Sequence, residues 1–98
     1  MGSRAEQPKP KLVFFLSSSS GQSRRVEGFL AQVLQRRRNH DTFRIYRVNV
    51  EAEQDLVARF GVERIPALAV VEGKRVKSKL ELPRGCREIE RFLTPWLR

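Results

Sequence analysis

Leu12-Val13-Phe14-Phe15-Leu16, then Ser17-Ser18-Ser19-Ser20-Gly21-Gln22-Ser23-Arg24-Arg25, then Val26: this stretch decides how the chain is read. An apolar run of strand length, a turn of small residues and the start of a helical pattern make a strand, a loop and a helix N-terminus. Lys11 to Leu16 shows no alternation, as expected of a strand covered on both faces. The serines fall where a helix leaves backbone N–H groups without partners. The junction therefore carries hydroxyls and guanidiniums but no thiol.

Downstream, Val26, Phe29, Leu30, Val33 and Leu34 recur along one helical face, while Arg25, Gln32, Gln35 and Arg36 take the other. The spacing predicts a helix from Gly21 or Gln22 to Arg37, with Arg36-Arg37-Arg38 complementing its C-terminal dipole by about 0.3 to 1 kcal/mol. Asn39-His40-Asp41 reads as a solvated loop. Phe43 to Val50 is rich in β-branched and aromatic residues and predicts a second strand with Ile45, Val48 and Val50 inward. Its helical connection to the first strand implies parallel pairing and a right-handed crossover.

Glu51 to Phe60 spaces Leu56, Val57 and Phe60 helically, and Gly61 supplies the stop. Ile65-Pro66 precedes an apolar strand, Ala67 to Val71. Glu72-Gly73 turns it into Arg75 to Leu82, where Val76, Ser78 and Leu80 alternate with Arg75, Lys77 and Lys79 in a hairpin with one wet face. Pro83-Arg84-Gly85 ends that strand. Cys86 to Leu93 closes the chain as a helix with Ile89, Phe92 and Leu93 inward, supported by Trp96 and Leu97. The order is β, α, β, α, β, β, α, an α/β class with a mixed four-stranded sheet flanked by helices.

Bulk composition limits the functions open to the chain. Its 98 residues suffice for one core, burying about two-thirds of the unfolded surface, and not for two. Hydrophobic residues at 40% against 32% charged exclude a disordered chain. Met1 to Pro10 has no periodicity and reads as a mobile tail before a domain at 11–98. No apolar run approaches the roughly 18 residues a membrane helix needs, and no signal-peptide core is present, so the expected place is the cytoplasm, off the membrane. A single cysteine, Cys86, excludes an internal disulfide and, with one histidine, argues against a metal site; no cofactor is implied. Twenty basic residues against eleven acidic give +9. That surplus makes nucleic acid or another polyanion an alternative partner, although the arginines are scattered and no aromatic stacking set accompanies them.

The residues from Lys11 onward resemble the thioredoxin family. The resemblance is carried by Val48-Asn49-Val50, by Leu56-Val57-Ala58-Arg59-Phe60-Gly61-Val62 and by Ile65-Pro66-Ala67-Leu68, with the hairpin and last helix at matching spacing. It implies a thioredoxin-like fold in trimmed form, without the family's usual first strand and helix. Ser20-Gly21-Gln22-Ser23 stands where the family has Cys-Gly-Pro-Cys. An alcohol at a helix start stays neutral and cannot form a mixed disulfide, so thiol–disulfide exchange at this SxxS motif is excluded. Gln22 replaces the motif proline, Ser19 the preceding tryptophan and Phe14 the buried acid. So many absences together favour a naturally redox-inactive member over a mutated oxidoreductase.

Pro66 matches the family's cis-proline. The resemblance implies a peptide groove beside it, formed here by Ser19, Ser20, Gly21, Gln22, Ser23, Arg24, Ile65 and Pro66, with the turn near Pro83 as an outer wall; the needs of the turn alone would also keep the proline. Two plainer roles compete for the serines. Ser20 can cap the helix for about 1 kcal/mol, and the loop N–H groups with Ser20, Ser23, Arg24 and Arg25 could hold an anion. Cys86, at a helix start between Arg84 and Arg87, is the alternative redox group, as a lone reactive thiol. Ser20 lacks a base, since His40 lies at the far end of the first helix. The expected function is a monomeric, redox-inactive module that binds a protein or peptide.

Overall fold

Residues 9–97 are described in a computed structural model; the expected tail lies outside them up to Pro8, as do the side chains of Arg37 and His40. The elements are β1 (Lys11–Leu16), α1 (Gly21–Gln35), a 3-10 segment (Arg36–Asp41), β2 (Arg44–Asn49), α2 (Gln54–Phe60), β3 (Ala67–Glu72), β4 (Arg75–Glu81) and α3 (Cys86–Leu93). They form one mixed sheet in the order β2-β1-β3-β4. β1 runs parallel to β2 and antiparallel to β3, which forms the hairpin with β4. The continuous apolar runs of β1 and β3 occupy the two central places, where both faces are covered.

Alternation along those strands divides the core. Leu12, Phe14, Leu68 and Val70 point to the side of α1 and α3, where they meet Val26, Leu30, Val33, Leu34, Ile89 and Leu93. Val13, Phe15, Ala67, Ala69 and Val71 point to the other side, under Leu56, Val57 and Phe60 of α2, with the Phe15 and Phe60 rings edge-on at 5.2 Å. Near the end of the chain Trp96 stacks obliquely on Phe43, and its indole N–H donates to Glu72 Oε2 at 2.7 Å. Among the described residues no helix is long and apolar enough to cross a membrane.

Four local expectations are corrected. α1 stops at Gln35, two residues short, because Arg36 is extended at its C-cap and Arg38 has φ 56°. The arginine block therefore follows the helix, and Arg36 reaches Glu90 on α3 at 3.3 Å. The loop expected at Asn39-His40-Asp41 belongs to the 3-10 segment, and Asn39 is buried in it: its amide donates to Arg36 O at 2.9 Å and its carbonyl oxygen accepts from the Thr42 hydroxyl at 2.7 Å, serving as local backbone would.

The other two corrections concern edge strands. Ile45 is 45% exposed, because among the described residues β2 has no neighbour on its outer side. Val76 is 44% exposed, because the β3–β4 register slips by one residue between Val70 and Val71. A one-residue slip carries a side chain to the opposite face, so Val76 sits opposite Val71, on the α2 side, and leaves the face of Ser78 and Leu80.

Gly61 ends α2 with φ 67°, a conformation that suits glycine. There the expected wet face of β4 supplies an unforeseen contact. Lys79 Nζ donates to Phe60 O at 3.0 Å and Gly61 O at 3.3 Å, placing a cation on the open C-terminal carbonyls of α2.

Candidate functional site

The serine loop spends most of its hydrogen-bonding groups on itself. Ser20 is the N-cap of α1, with extended backbone, and its hydroxyl accepts from Ser23 N at 3.2 Å. Ser23 is 3% exposed, and its hydroxyl accepts from Ser17 N at 3.0 Å, tying the end of β1 to the first turn of the helix. Ser17 Oγ in turn donates to Glu51 Oε2 at 2.5 Å and lies 3.2 Å from Ser19 Oγ. A carboxylate thus already stands against the loop, opposite in purpose to an anion cradle. His40 belongs to the 3-10 segment, beyond the end of α1 remote from Ser20.

The helix start divides two surfaces. On one side lies a groove of about 330 Å³. Gln22, Arg25, Val26 and Phe29 of α1 form one wall, Pro66 lies between, and Leu82, Pro83 and Arg84 form the other wall. The Ile65–Pro66 peptide bond is cis. Pro66 O accepts from Leu82 N at 2.8 Å, which fixes the distance between the strand start and the far wall. Leu82 has φ 51°, an uncommon conformation for a branched residue, stabilised here by that bond. Past Leu82 and Arg84 the groove opens into a polar hollow of about 450 Å³ lined by Glu63, Arg64, Glu81 and Glu88. Two of those carboxylates accept backbone N–H bonds, Glu81 from Glu63 at 2.9 Å and Glu88 from Arg84 at 2.7 Å.

On the other side of the helix start, Ser18, Ser19, Ser20, Gly21 and Arg24 line a separate hollow of about 250 Å³. Of the groove residues expected from sequence, Gln22 and Pro66 come together. Ser19, Ser20, Gly21 and Arg24 face this second hollow, Ser23 points inward, and Ile65 packs partly buried on the α2-side core. Arg25, not Arg24, borders the groove. From sequence Val26 and Phe29 read only as core, since i, i+3 spacing cannot tell a helix face that lines a groove from one that is fully covered. Leu82 left no signal beyond its place before Pro83.

Cys86 begins α3 and is half-buried beside the core, outside the groove lining. Its thiol donates to Gln32 Oε1 at 3.1 Å and to Phe29 O at 3.7 Å, so it faces the flank of α1. Among the described residues no group of three or more His, Cys, Asp or Glu side chains could hold a metal ion.

The thioredoxin family model matches residues 4–95. Similar solved structures include Trxlp from Edwardsiella tarda, 17% identical over 92% of this chain and 84% of that one, TM-score 0.76. A mutant thioredoxin from Halobacterium salinarum is 12% identical over 92% and 76%, TM-score 0.75, and oxidised thioredoxin O2 from Arabidopsis thaliana is 12% identical over the same shares, TM-score 0.74. Such identities speak for the fold alone. No curated protein sequence matches the chain.

Proposed function

This chain belongs to the thioredoxin family, and from that premise we propose that it is a redox-inactive binding module whose groove beside Pro66 takes an extended protein or peptide segment. One observation carries the reading: the groove persists, with an apolar lining of Val26, Phe29, Pro66 and Leu82, next to a helix start where Ser20 caps the helix and Ser23 ties it to the end of β1. Fold membership by itself does not assign activity. The argument therefore rests on the site, where the groups that would exchange disulfides are alcohols.

Cys86 offers little as a substitute. Its thiol is turned toward Gln32 and the Phe29 carbonyl, and it lies outside the groove lining. The reading of the loop as an anion site is disfavoured by Glu51, which holds the Ser17 hydroxyl.

A displayed library of random peptides, panned on the chain, tests the proposal. Selected peptides should bind the Leu82→Asn variant at least about ten-fold more weakly, since asparagine tolerates the left-handed backbone yet removes the apolar wall. Insulin reduction by dithiothreitol should run no faster with the chain than without it. Peptides that bind Leu82→Asn equally well, or turnover abolished by Cys86→Ser, would overturn the assignment.

A further inference from the structure

The sheet has two edges of unlike construction. β4 presents Arg75, Lys77 and Lys79 and carries the register slip, two devices that discourage another strand from pairing. β2 has no such irregularity. Its six residues hold an unbroken parallel register from Lys11↔Arg44 to Leu16↔Asn49, with no proline or glycine. Arg44 N donates to Pro10 O and Val50 N to Leu16 O, so the backbone groups of residues 44, 46, 48 and 50 turn toward β1. Those of Ile45 and Arg47 turn outward. β2 has β1 as its one neighbour in the sheet among the described residues.

The side chains along this edge define what would fit there. On the α1 face, Ile45 is 45% exposed at the mouth of an apolar hollow of about 180 Å³ whose walls include Phe14, Leu30, Ala31 and Leu34. On the opposite face Tyr46, 44% exposed, lies between Arg44 and Arg47 in sequence. Arg44 shares the face of Tyr46, whereas Arg47 lies on the face of Ile45, where it pairs with Glu27 and, with Arg24, borders a hollow beside α1.

We propose that the open edge of β2 is an interaction surface that accepts one extended strand from an acidic partner chain, with apolar residues alternating with Asp or Glu. Main-chain groups of Ile45 and Arg47 would supply the pairing. Apolar side chains on one face of the added strand cover Ile45 and its hollow. Carboxylates on the other face meet Arg44, in the field of a chain that carries +9. A second copy of the chain fits less well, because each carries +9 and pairing β2 with β2 would line Arg44 and Arg47 of both copies along one seam. The surface is separate from the groove beside Pro66.

Amide hydrogen exchange read residue by residue tests the proposal, with a peptide of about eight residues alternating Val and Glu as the probe. In the free chain the Ile45 and Arg47 amides should exchange far faster than those of Tyr46 and Val48. Saturating peptide should slow Ile45 and Arg47 at least ten-fold, and the effect should weaken with added salt. Ile45→Thr, which keeps the β-branched strand residue and removes apolar surface, should lower affinity about five-fold, while Leu82→Asn leaves it unchanged.

Three results would each overturn the proposal. One is the absence of protection at these two amides at millimolar peptide. Another is equal protection by a Val and Lys peptide, which would remove the acidic partner. The last is protection in the free chain, lost on dilution if a second copy covers the edge and insensitive to dilution if the chain's own N-terminal segment does.

Discussion

The two faces of the sheet are covered by unequal amounts of protein. On one, α1 and α3 bury Val26, Leu30, Val33, Leu34, Ile89 and Leu93 against Leu12, Phe14, Leu68 and Val70. On the other, α2 is seven residues long and contains no fully buried residue; Leu56, Val57 and Phe60 cover a smaller cluster in which Phe15 is accompanied by valines, Ala67 and Ala69. Close packing makes each lost methylene costly only where neighbours surround it. The thick face therefore holds the fold, and it is also the face that positions the serine loop and the groove. The thin face is a cover, kept in place by its ends.

The largest effects should separate the faces. Phe14→Ala, in the thick face, should cost about 3 to 5 kcal/mol in chemical denaturation, while half-buried Phe60→Ala should cost less than about half of that. Equal losses would break the comparison. Phe14→Leu provides a milder version that keeps the protein folded, with a cost of about 1 kcal/mol.

Within the thick face, the serine loop separates a buried hydroxyl from a cap. Ser23→Ala leaves Ser17 N without its acceptor in a nearly closed site and should cost about 1 to 3 kcal/mol. Ser20→Ala removes the cap and should cost about 1 kcal/mol, with Ser20→Asp restoring it. Matching thermal shifts for the two alanine variants would mean that Ser23 acts only as part of the cap. The smallest effect belongs to the thin face. Lys79→Met should lower stability by about 0.3 to 1 kcal/mol, less at high salt, because the ammonium sits on exposed carbonyls at the end of α2. A salt-independent loss would point to packing of the lysine stem in place of charge.

Much of this architecture is legible from side-chain periodicity. Lys11 to Leu16 reads as a strand covered on both faces and Ala67 to Val71 as an apolar strand, and the two occupy the sheet centre. Gly61 marks the end of α2 from sequence because a left-handed C-cap favours glycine. The site is less legible. Gln22 and Pro66 could be brought together by resemblance, whereas Arg25, Leu82 and Arg84 could not, since their meeting depends on how the β4–α3 connection crosses the start of α1. Arg24 and Arg25 are neighbours in sequence yet border different hollows, because successive helical residues diverge by about 100°.

The sequence by itself determined the order of elements, the apolar faces that build the core, and the hydroxyls, with no thiol, at Ser20 and Ser23. Each of these is a property of residue type or of spacing within one element, where backbone geometry converts sequence separation directly into direction. The tertiary structure alone decided which side chains stay uncovered and which polar groups find distant partners. Ile45 is exposed because β2 is an edge of the sheet among the described residues, and Val76 because of a slip in register. Lys79 caps a helix far from it in sequence, and Leu82 takes a left-handed conformation against Pro66. These outcomes depend on contacts between elements, which local periodicity does not encode.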